Sequence, residues 1–204
     1  MKKQLIISVG REFGSGGHVI AETLAKRFDL PLYDSNILES IAQERNVDAK
    51  TLHRYDEVPR NILFSSRRVR EYSTSAEENI AQMQFEYLKK KADEGESFVV
   101  VGRCSETKLA GTPGLITIFV LGDIPVKTAR IMKLHNLTEK EAKNMIEKQD
   151  RQRKMYHNYY VKGKWGDSRN YDLSINSSRM GIEKTADFLE SYIRERIAES
   201  VQEA

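Results

Sequence analysis

Residues 10–19 read GREFGSGGHV, and the spacing of their glycines is the first feature of the chain that is typical of a binding site. Three glycines lie within four residues of this stretch, between the apolar run LIISV and the helix-like run IAETLAKRF. A glycine-rich turn between a strand and a helix directs successive backbone N–H groups, together with the positive end of the helix dipole, towards an anion. The stretch therefore predicts a phosphate-binding loop, whose members would be Gly14, Ser15, Gly16, Gly17 and His18.

The loop departs from both common phosphate-binding fingerprints. A dinucleotide-binding pattern counted from Gly14 needs a glycine at residue 19, where the chain has Val19. The Walker pattern fits in its placement after the first apolar run, but its lysine position is occupied by Gly17. A tight strand-to-helix turn that binds no ligand is the simpler alternative.

Arginines are the other candidates for phosphate contacts, because the planar guanidinium group matches pairs of phosphate oxygens. Arg103 directly follows the run VVVG, and Arg151 and Arg153 lie on or after the helix that TEKE opens at residues 138–141. Arg11 stands before the glycines, and its long side chain could fold back over a bound phosphate in place of the missing lysine. Each of these arginines could instead form an ordinary salt bridge.

Strand and helix patterns alternate along the chain. Short apolar runs typical of buried strands occupy residues 5–9, 30–34, 97–102, 115–121 and 171–176, with helical spacing between and after them. This order predicts an α/β fold with a parallel sheet of about five strands and helices on both faces. In such sheets ligands bind beyond the carboxyl ends of the strands, where the glycine loop and Arg103 lie.

Local signals place several helix boundaries. Pro125 suits the first turn of the helix after the fourth strand, and Thr138 with Glu141 forms a capping box for a helix that should reach the tyrosines at 156–160. A longer helix should end near Gly95. The polar, arginine-rich segment 46–75 is expected to be helical in pieces and mobile.

Three further features have simple interpretations. Asp150 and Lys154 are spaced for an ion pair on a solvated helix face. A cation beside Cys104 would lower the pKa of its thiol, but no histidine lies near it in sequence, so we expect a buried or half-buried thiol. A cluster of aromatic residues could stack on a nucleotide base but is more simply explained as packing under a loop. Its members are Tyr156, Tyr159, Tyr160 and Trp165.

Composition limits the function classes. The chain has 204 residues, of which 31% are charged and 39% hydrophobic, which indicates one globular domain. A net charge of +3 does not indicate a nucleic-acid partner. No apolar run approaches the roughly 18 residues of a membrane span.

The segment MKKQLIISVG reads as a first strand rather than a signal peptide, so a cytoplasmic location is expected. No histidine and cysteine cluster has metal-ligand spacing, so any metal would be Mg²⁺ carried by a nucleotide.

Five segments, in the right order, carry a family resemblance. They read IISVGREFGSGGHVIAETLAKRFDLPLYDSNIL, FVVVGRC, ITIFVLGDIPVKTARI, QDRQRKMYHNYY and YDLSINSS. Together they resemble the cytidylate kinase-like family, relatives of bacterial cytidylate kinase in the nucleoside monophosphate kinase group. Residues 46–75 fall outside the segments that can be aligned.

The resemblance implies a P-loop kinase fold over residues 1–204, with a helical acceptor-binding region at about 36–95 and a lid at about 148–168. It implies ATP as donor, Mg²⁺ carried with it, and a small-molecule nucleotide, most simply a nucleoside monophosphate, as acceptor. It does not indicate an oligomeric state. The site residues that it implies are the donor-phosphate ligands Gly14, Ser15, Gly16 and Gly17, the acceptor ligands Asp34 and Arg103, and the lid arginines Arg151 and Arg153.

The chain departs from the family pattern at three points. Gly17 stands where cytidylate kinases have the P-loop lysine, His18 and Val19 stand where they have glycine and threonine, and Cys104 replaces the aspartate of GRD. Two hypotheses follow. The retained arginines favour an ATP-dependent small-molecule kinase, whereas Gly17 favours a non-catalytic nucleotide- or anion-binding protein that kept the fold. A nucleic-acid-binding protein is the weakest alternative, because acidic residues are interleaved with the basic ones.

Overall fold

Five parallel strands form one sheet in the computed structural model, which describes residues 3–45 and 76–202. The strands run across the sheet in the order β2-β3-β1-β4-β5, which confirms the predicted parallel α/β architecture. Their bounds are β1 (Ile6–Arg11), β2 (Leu32–Tyr33), β3 (Phe98–Val101), β4 (Leu115–Leu121) and β5 (Leu173–Asn176). The segment 46–75, expected to be helical in pieces and mobile, lies outside the described residues.

Helices cover both faces of this sheet. Within the described ranges they are α1 (Gly17–Phe28), α2 (Ile37–Arg45), α3 (Ala76–Asp93), α4 (Ser105–Lys108), α5 (Ile124–His135), α6 (Glu139–Tyr160) and α7 (Ile182–Gln202), with a 3-10 turn at Ser168–Asn170. The sequence did not predict α4 or the 3-10 turn, because a single turn is too short to show helical periodicity. None of the described helices combines the length and the apolar character needed to cross a bilayer.

The central strand β1 alternates between two cores. Ile7 and Val9 pack with α1 and α7 on one face, whereas Ile6 packs with α2 and α3 on the other. A strand that is buried on both faces is apolar at nearly every position rather than at every second one. The exception is Ser8, whose Oγ lies 2.7 Å from Ser105 Oγ. This double burial explains the continuous apolar run from which the strand was predicted.

The sheet also differs from prediction at strand ends. β1 continues past Val9 to Arg11, because its parallel pairing with β4 continues to that residue. β5 is shorter than predicted, because Asp172, just before it, pairs with Thr117 through backbone-to-side-chain hydrogen bonds. Thr117 N donates to Asp172 Oδ2 at 2.7 Å, and Asp172 N donates to Thr117 Oγ1 at 2.8 Å. The extension of β1 brings Arg11 to the carboxyl edge of the sheet.

The predicted helix boundaries are confirmed. Pro125 lies in the first turn of α5. Thr138 caps α6 and forms the capping box, in which Thr138 N donates to Glu141 Oε2 at 2.9 Å, and α6 reaches Tyr160. Because α5 and α6 are antiparallel neighbours joined by a short turn, they form one helical unit beside the glycine loop.

Gly114 fixes the connection into β4 and can be tested by substitution. It has φ +74, and a Cβ there would overlap the backbone oxygen of Gln4. Gly111 has φ +82, but a Cβ there would meet nothing within 4 Å. Gly111→Ala should therefore lower the unfolding free energy by only roughly 1–2 kcal/mol, because alanine is strained in the left-handed conformation. Gly114→Ala should cost clearly more in urea unfolding, and equal losses in the two variants would contradict the predicted overlap.

Candidate functional site

The glycine loop connects β1 to α1 at the carboxyl edge of the sheet, as predicted. Gly14 (φ +81) and Gly16 (φ +82) both adopt the left-handed conformation, which glycine adopts without strain. Gly16 is the N-cap of α1 and has no side chain to bond to the first turn. Within the loop, Ser15 N donates to the backbone oxygen of Glu12 and Gly17 N donates to Ser15 Oγ, both at 3.3 Å. The N–H groups of Gly14, Gly16 and His18 remain for an anion in front of the loop.

Ser15 stabilises the loop from the inside. Its Oγ donates to the backbone oxygen of Glu12 at 2.8 Å, and its own backbone oxygen accepts from Ser177 Oγ at 2.6 Å. The residue is buried. Ser15 was predicted among the donor-phosphate ligands, and the structure places its side chain within the loop rather than in front of it.

A buried lysine attaches the loop to α5 and α6. Lys127 Nζ, on α5, lies 3.0 Å from Glu12 Oε2 and 2.9 Å from Asp150 Oδ2, and only 2% of its side chain is exposed. The other oxygen of Asp150 accepts from the Phe13 N–H at 2.6 Å. The Asp150 carboxylate is thus used here rather than in the expected pair with Lys154. This Glu12–Lys127–Asp150 network fixes the first half of the loop.

Arg11 occupies the space beside Gly17. A Cβ at residue 17 would lie only 2.5 Å from Arg11 Cβ and 3.2 Å from Val120 Cβ. Further along the side chain, the Arg11 guanidinium lies against Gly102, whose φ of +75 and missing side chain permit the approach. Arg11 therefore passes over the position from which a P-loop lysine would extend, and Gly17 is the residue that allows it to do so.

Three arginines line one cleft at the ends of β1 and β3. Arg11 comes from β1, the buried Arg103 from the turn after β3, and Arg153 from α6. Arg153 Nη1 donates to the backbone oxygen of Arg11 at 3.4 Å, which holds α6 against the loop. The cavity measures about 30 Å³. It has room for only a few atoms, and its high positive charge suits an anionic group.

A larger cavity of about 280 Å³ opens in front of the glycine loop. Arg11 and Arg153 line it as well, so the two cavities adjoin. Arg130, on α5, is a further lining residue, and its Nη1 donates to the backbone oxygen of Gly14 at 3.0 Å. Burial lowers the pKa of the Arg130 guanidinium from its ordinary value, but the starting value is so high that the group remains charged at neutral pH.

Comparison with known proteins identifies the family. The sequence model of the cytidylate kinase-like family matches residues 6–179. The chain belongs to this family. A crystal structure of an uncharacterized protein from Eubacterium ventriosum ATCC 27560 is 38% identical, with a TM-score of 0.74, and the match covers 94% of this chain and 99% of that one. No curated protein gave a significant match.

More distant solved structures share the fold of this cytidylate kinase-like protein. A shikimate kinase from Bacteroides thetaiotaomicron is 13% identical with a TM-score of 0.55, and the match covers 93% of this chain and 98% of that one. A gluconokinase from Sinorhizobium meliloti 1021 is 12% identical with a TM-score of 0.56, covering 100% and 99%. These similarities confirm the predicted P-loop kinase fold.

Not every predicted site residue of this family member joins the two cavities. His18 lines the larger cavity, and its Nε2 lies 3.5 Å from Asp34 Oδ2 and 3.4 Å from Glu22 Oε1. Arg151 is exposed, and its Nη2 donates to Glu147 Oε1 at 2.6 Å. The structure thus brings His18 and Asp34 together at the loop but leaves Arg151 on the outer surface of α6.

Several polar residues of the site were not among the predicted ones. Glu106 and His157 form a buried pair in the cleft, with 2.7 Å between Oε1 and Nε2, although 51 residues separate them. Burial, followed by the negative charge of Glu106, raises the pKa of the neighbouring Tyr171. Lys127 and Arg130 were also missed, although their i,i+3 spacing on a helix after a strand is a signal that both face the same neighbour.

The aromatic residues and Cys104 mainly provide packing. The Trp165 ring lies edge-on to Phe119 with 5.4 Å between centroids, and the Tyr160 ring meets Phe85 in the same way at 5.4 Å. Cys104 is buried beside Phe85, as expected for a buried or half-buried thiol. These contacts hold the end of α6 against α3 and the following loop against β4.

Removing the Lys127 ammonium should destabilise the protein and its loop. Lys127→Met keeps the apolar stem but leaves Glu12 and Asp150 without their shared cation, which should cost roughly 3–5 kcal/mol of unfolding free energy. Lys143→Met removes an exposed i,i+4 partner of Glu139 on α6 and should change stability little. Chemical denaturation compares the two variants. Similar small losses in both would show that the buried network does not stabilise the loop.

Proposed function

We propose that this protein transfers a phosphoryl group from ATP to a nucleoside monophosphate. The observation that carries the proposal is the convergence of Arg11, Arg103 and Arg153 on the cleft beside the glycine loop. Phosphoryl transfer needs little covalent chemistry from the protein and depends on positioned oxygens and on cations that offset charge on the transferred group. Membership of the cytidylate kinase-like family supports kinase chemistry in general.

Each group has a role in this reaction. The backbone N–H groups of Gly14, Gly16 and His18 hold the donor phosphates, in the cavity that Arg130 also lines. Arg11 supplies the charge that a P-loop lysine would provide. Arg103 binds the acceptor phosphate, and Arg153 contacts the transferred group from α6. Mg²⁺ bound with the nucleotide would supply charge that offsets the phosphates. Residue 18 is histidine, so the loop would offer the metal no hydroxyl there.

The charge of the cleft favours a phosphate acceptor over a hydroxyl acceptor. A hydroxyl group needs a base to accept its proton, whereas a phosphate monoester, with a second pKa near 6, is already ionised at neutral pH. The carboxylate among the residues that line the cleft belongs to Glu106, and it is bonded to His157 at 2.7 Å. The three arginines offer cations to an anionic acceptor. Because such an enzyme draws on ATP, we place the reaction in the cytoplasm.

A turnover assay tests the proposed reaction. Purified protein is incubated with ATP, Mg²⁺ and each nucleoside monophosphate, and diphosphates are quantified against a blank without protein. Arg103→Ala should weaken monophosphate binding by about 1.5–3 kcal/mol, the scale of a hydrogen bond to a charged group, with little change in melting temperature. Binding of ATP without diphosphate formation for any acceptor would favour the non-catalytic alternative. An Arg103→Ala variant that binds normally but melts early would make Arg103 structural.

The Arg11 side chain can be tested in the same assay. Arg11→Ala should reduce ATP affinity or turnover by roughly 10²-fold or more, as the loss of a charge-stabilising donor does in other enzymes. Arg11→Lys should recover part of this loss. Arg194→Ala is a matched control, because Arg194 is an exposed arginine on α7 that pairs with Glu190. Nucleotide binding and turnover that stay at the wild-type level in Arg11→Ala would refute the substitution for lysine.

A further inference from the structure

The Glu106–His157 pair joins the two elements that carry Arg103 and Arg153. Glu106 lies three residues after Arg103, in the single turn α4. His157 lies four residues after Arg153 on α6, so both side chains project from the same helix face. Both members of the pair are buried, with 3% and 5% of their side chains exposed, and both line the cleft. The contact between them therefore sets the distance between the acceptor side and the α6 side of the cleft.

The hydrogen bonds around His157 define where its protons lie. The backbone N–H of Trp165 donates to Asn158 Oδ1 at 2.9 Å, which fixes the orientation of the Asn158 side-chain amide. The same oxygen lies 3.2 Å from His157 Nδ1. An amide oxygen can only accept, so Nδ1 carries a proton.

A second proton must lie between the imidazole and the carboxylate. His157 Nε2 and Glu106 Oε1 are 2.7 Å apart, and a lone pair on each would repel the other at this distance. The proton is held either by an imidazolium facing a carboxylate or by a neutral imidazole facing a carboxylic acid. The pair has no net charge in either form. Thr107 Oγ1 also donates to Glu106 Oε1, at 3.2 Å.

We propose that Glu106 and His157 are positioning residues that hold Arg153 opposite Arg103 through one shared proton. Loss of that proton leaves one imidazole proton for two acceptors, the Asn158 amide oxygen and the Glu106 carboxylate. One of the two contacts is then lost, so the end of α6 or the loop that carries Trp165 separates from its neighbour. The other charged and titratable groups that line the cleft around the pair are Arg11, Arg103, Arg153, Cys104, Tyr156 and Tyr171. The consequence for phosphoryl transfer rests on the proposed function, whereas the contact itself does not.

Trp165 provides a direct readout without any nucleotide. It is the single tryptophan of the chain and it lines the cleft. Its backbone N–H donates to the side chain of Asn158, the residue after His157. Its ring packs on Phe119 of β4, so movement of the end of α6 and of the loop that follows it should expose the ring. The experiment measures acrylamide quenching of Trp165 fluorescence in the full-length protein at increasing pH.

Three variants separate the shared proton from the contact. E106Q can donate its amide N–H to Nε2 of a neutral imidazole, and H157Q can donate to the Glu106 carboxylate, so both keep the contact without a shared proton. E106A removes the contact. Quenching should rise at least about 2-fold with pH in the wild type, stay low at every pH in E106Q and H157Q, and stay high at every pH in E106A.

The outcomes bear on separate parts of the proposal. Wild-type quenching that does not change with pH overturns the shared proton. Quenching in E106A that equals the wild type at low pH overturns the positioning role. If E106A does not fold, as judged by circular dichroism, quenching in E106Q or H157Q that follows the wild-type pH profile overturns the proposal. Because no nucleotide is present, a protein without kinase activity can still give the expected quenching, so failure of the proposed function remains distinguishable.

Discussion

The position of the glycine loop depends on one buried ammonium group, that of Lys127. A charge with 2% exposure is tolerated only when it is paired, and here two carboxylates from different parts of the chain surround it. One carboxylate belongs to the loop and the other to α6, so the same group fixes the loop relative to both helices of the α5–α6 unit. Arg130 and Arg153 extend from these helices into the cavities, and their distance from the loop backbone follows from this attachment.

Much of the fold could be predicted because its signals are local. Strands buried on both faces produce continuous apolar runs, and the capping box at Thr138 and the glycines of the loop lie within a few residues of each other. Arg11 was also accessible to sequence analysis, since it is part of the same loop. The contacts of Lys127 and of the Glu106–His157 pair were not, because their partners lie 115, 23 and 51 residues away. A polar residue on a helix is not part of a sequence periodicity that indicates which distant residue it contacts.

The two cavities divide the positive charge of the site in a way that supports the proposed phosphoryl transfer. Arg11 and Arg153 border both of them, whereas Arg130 lines only the larger and Arg103 only the smaller. A group passing from one cavity to the other would remain beside the two shared cations throughout. Such preorganised charge stabilises a transition state without rearrangement of the protein.

The close approach of Arg11 to Gly17 has an evolutionary consequence. The two positions share one volume, since a side chain at residue 17 would begin 2.5 Å from Arg11 Cβ. This contact is made by the first carbon of each side chain, so lysine at residue 17 would need glycine at residue 11. An exchange between the two arrangements takes at least two substitutions. Because neighbouring substitutions are not additive, the pair should show epistasis between residues six positions apart in the chain.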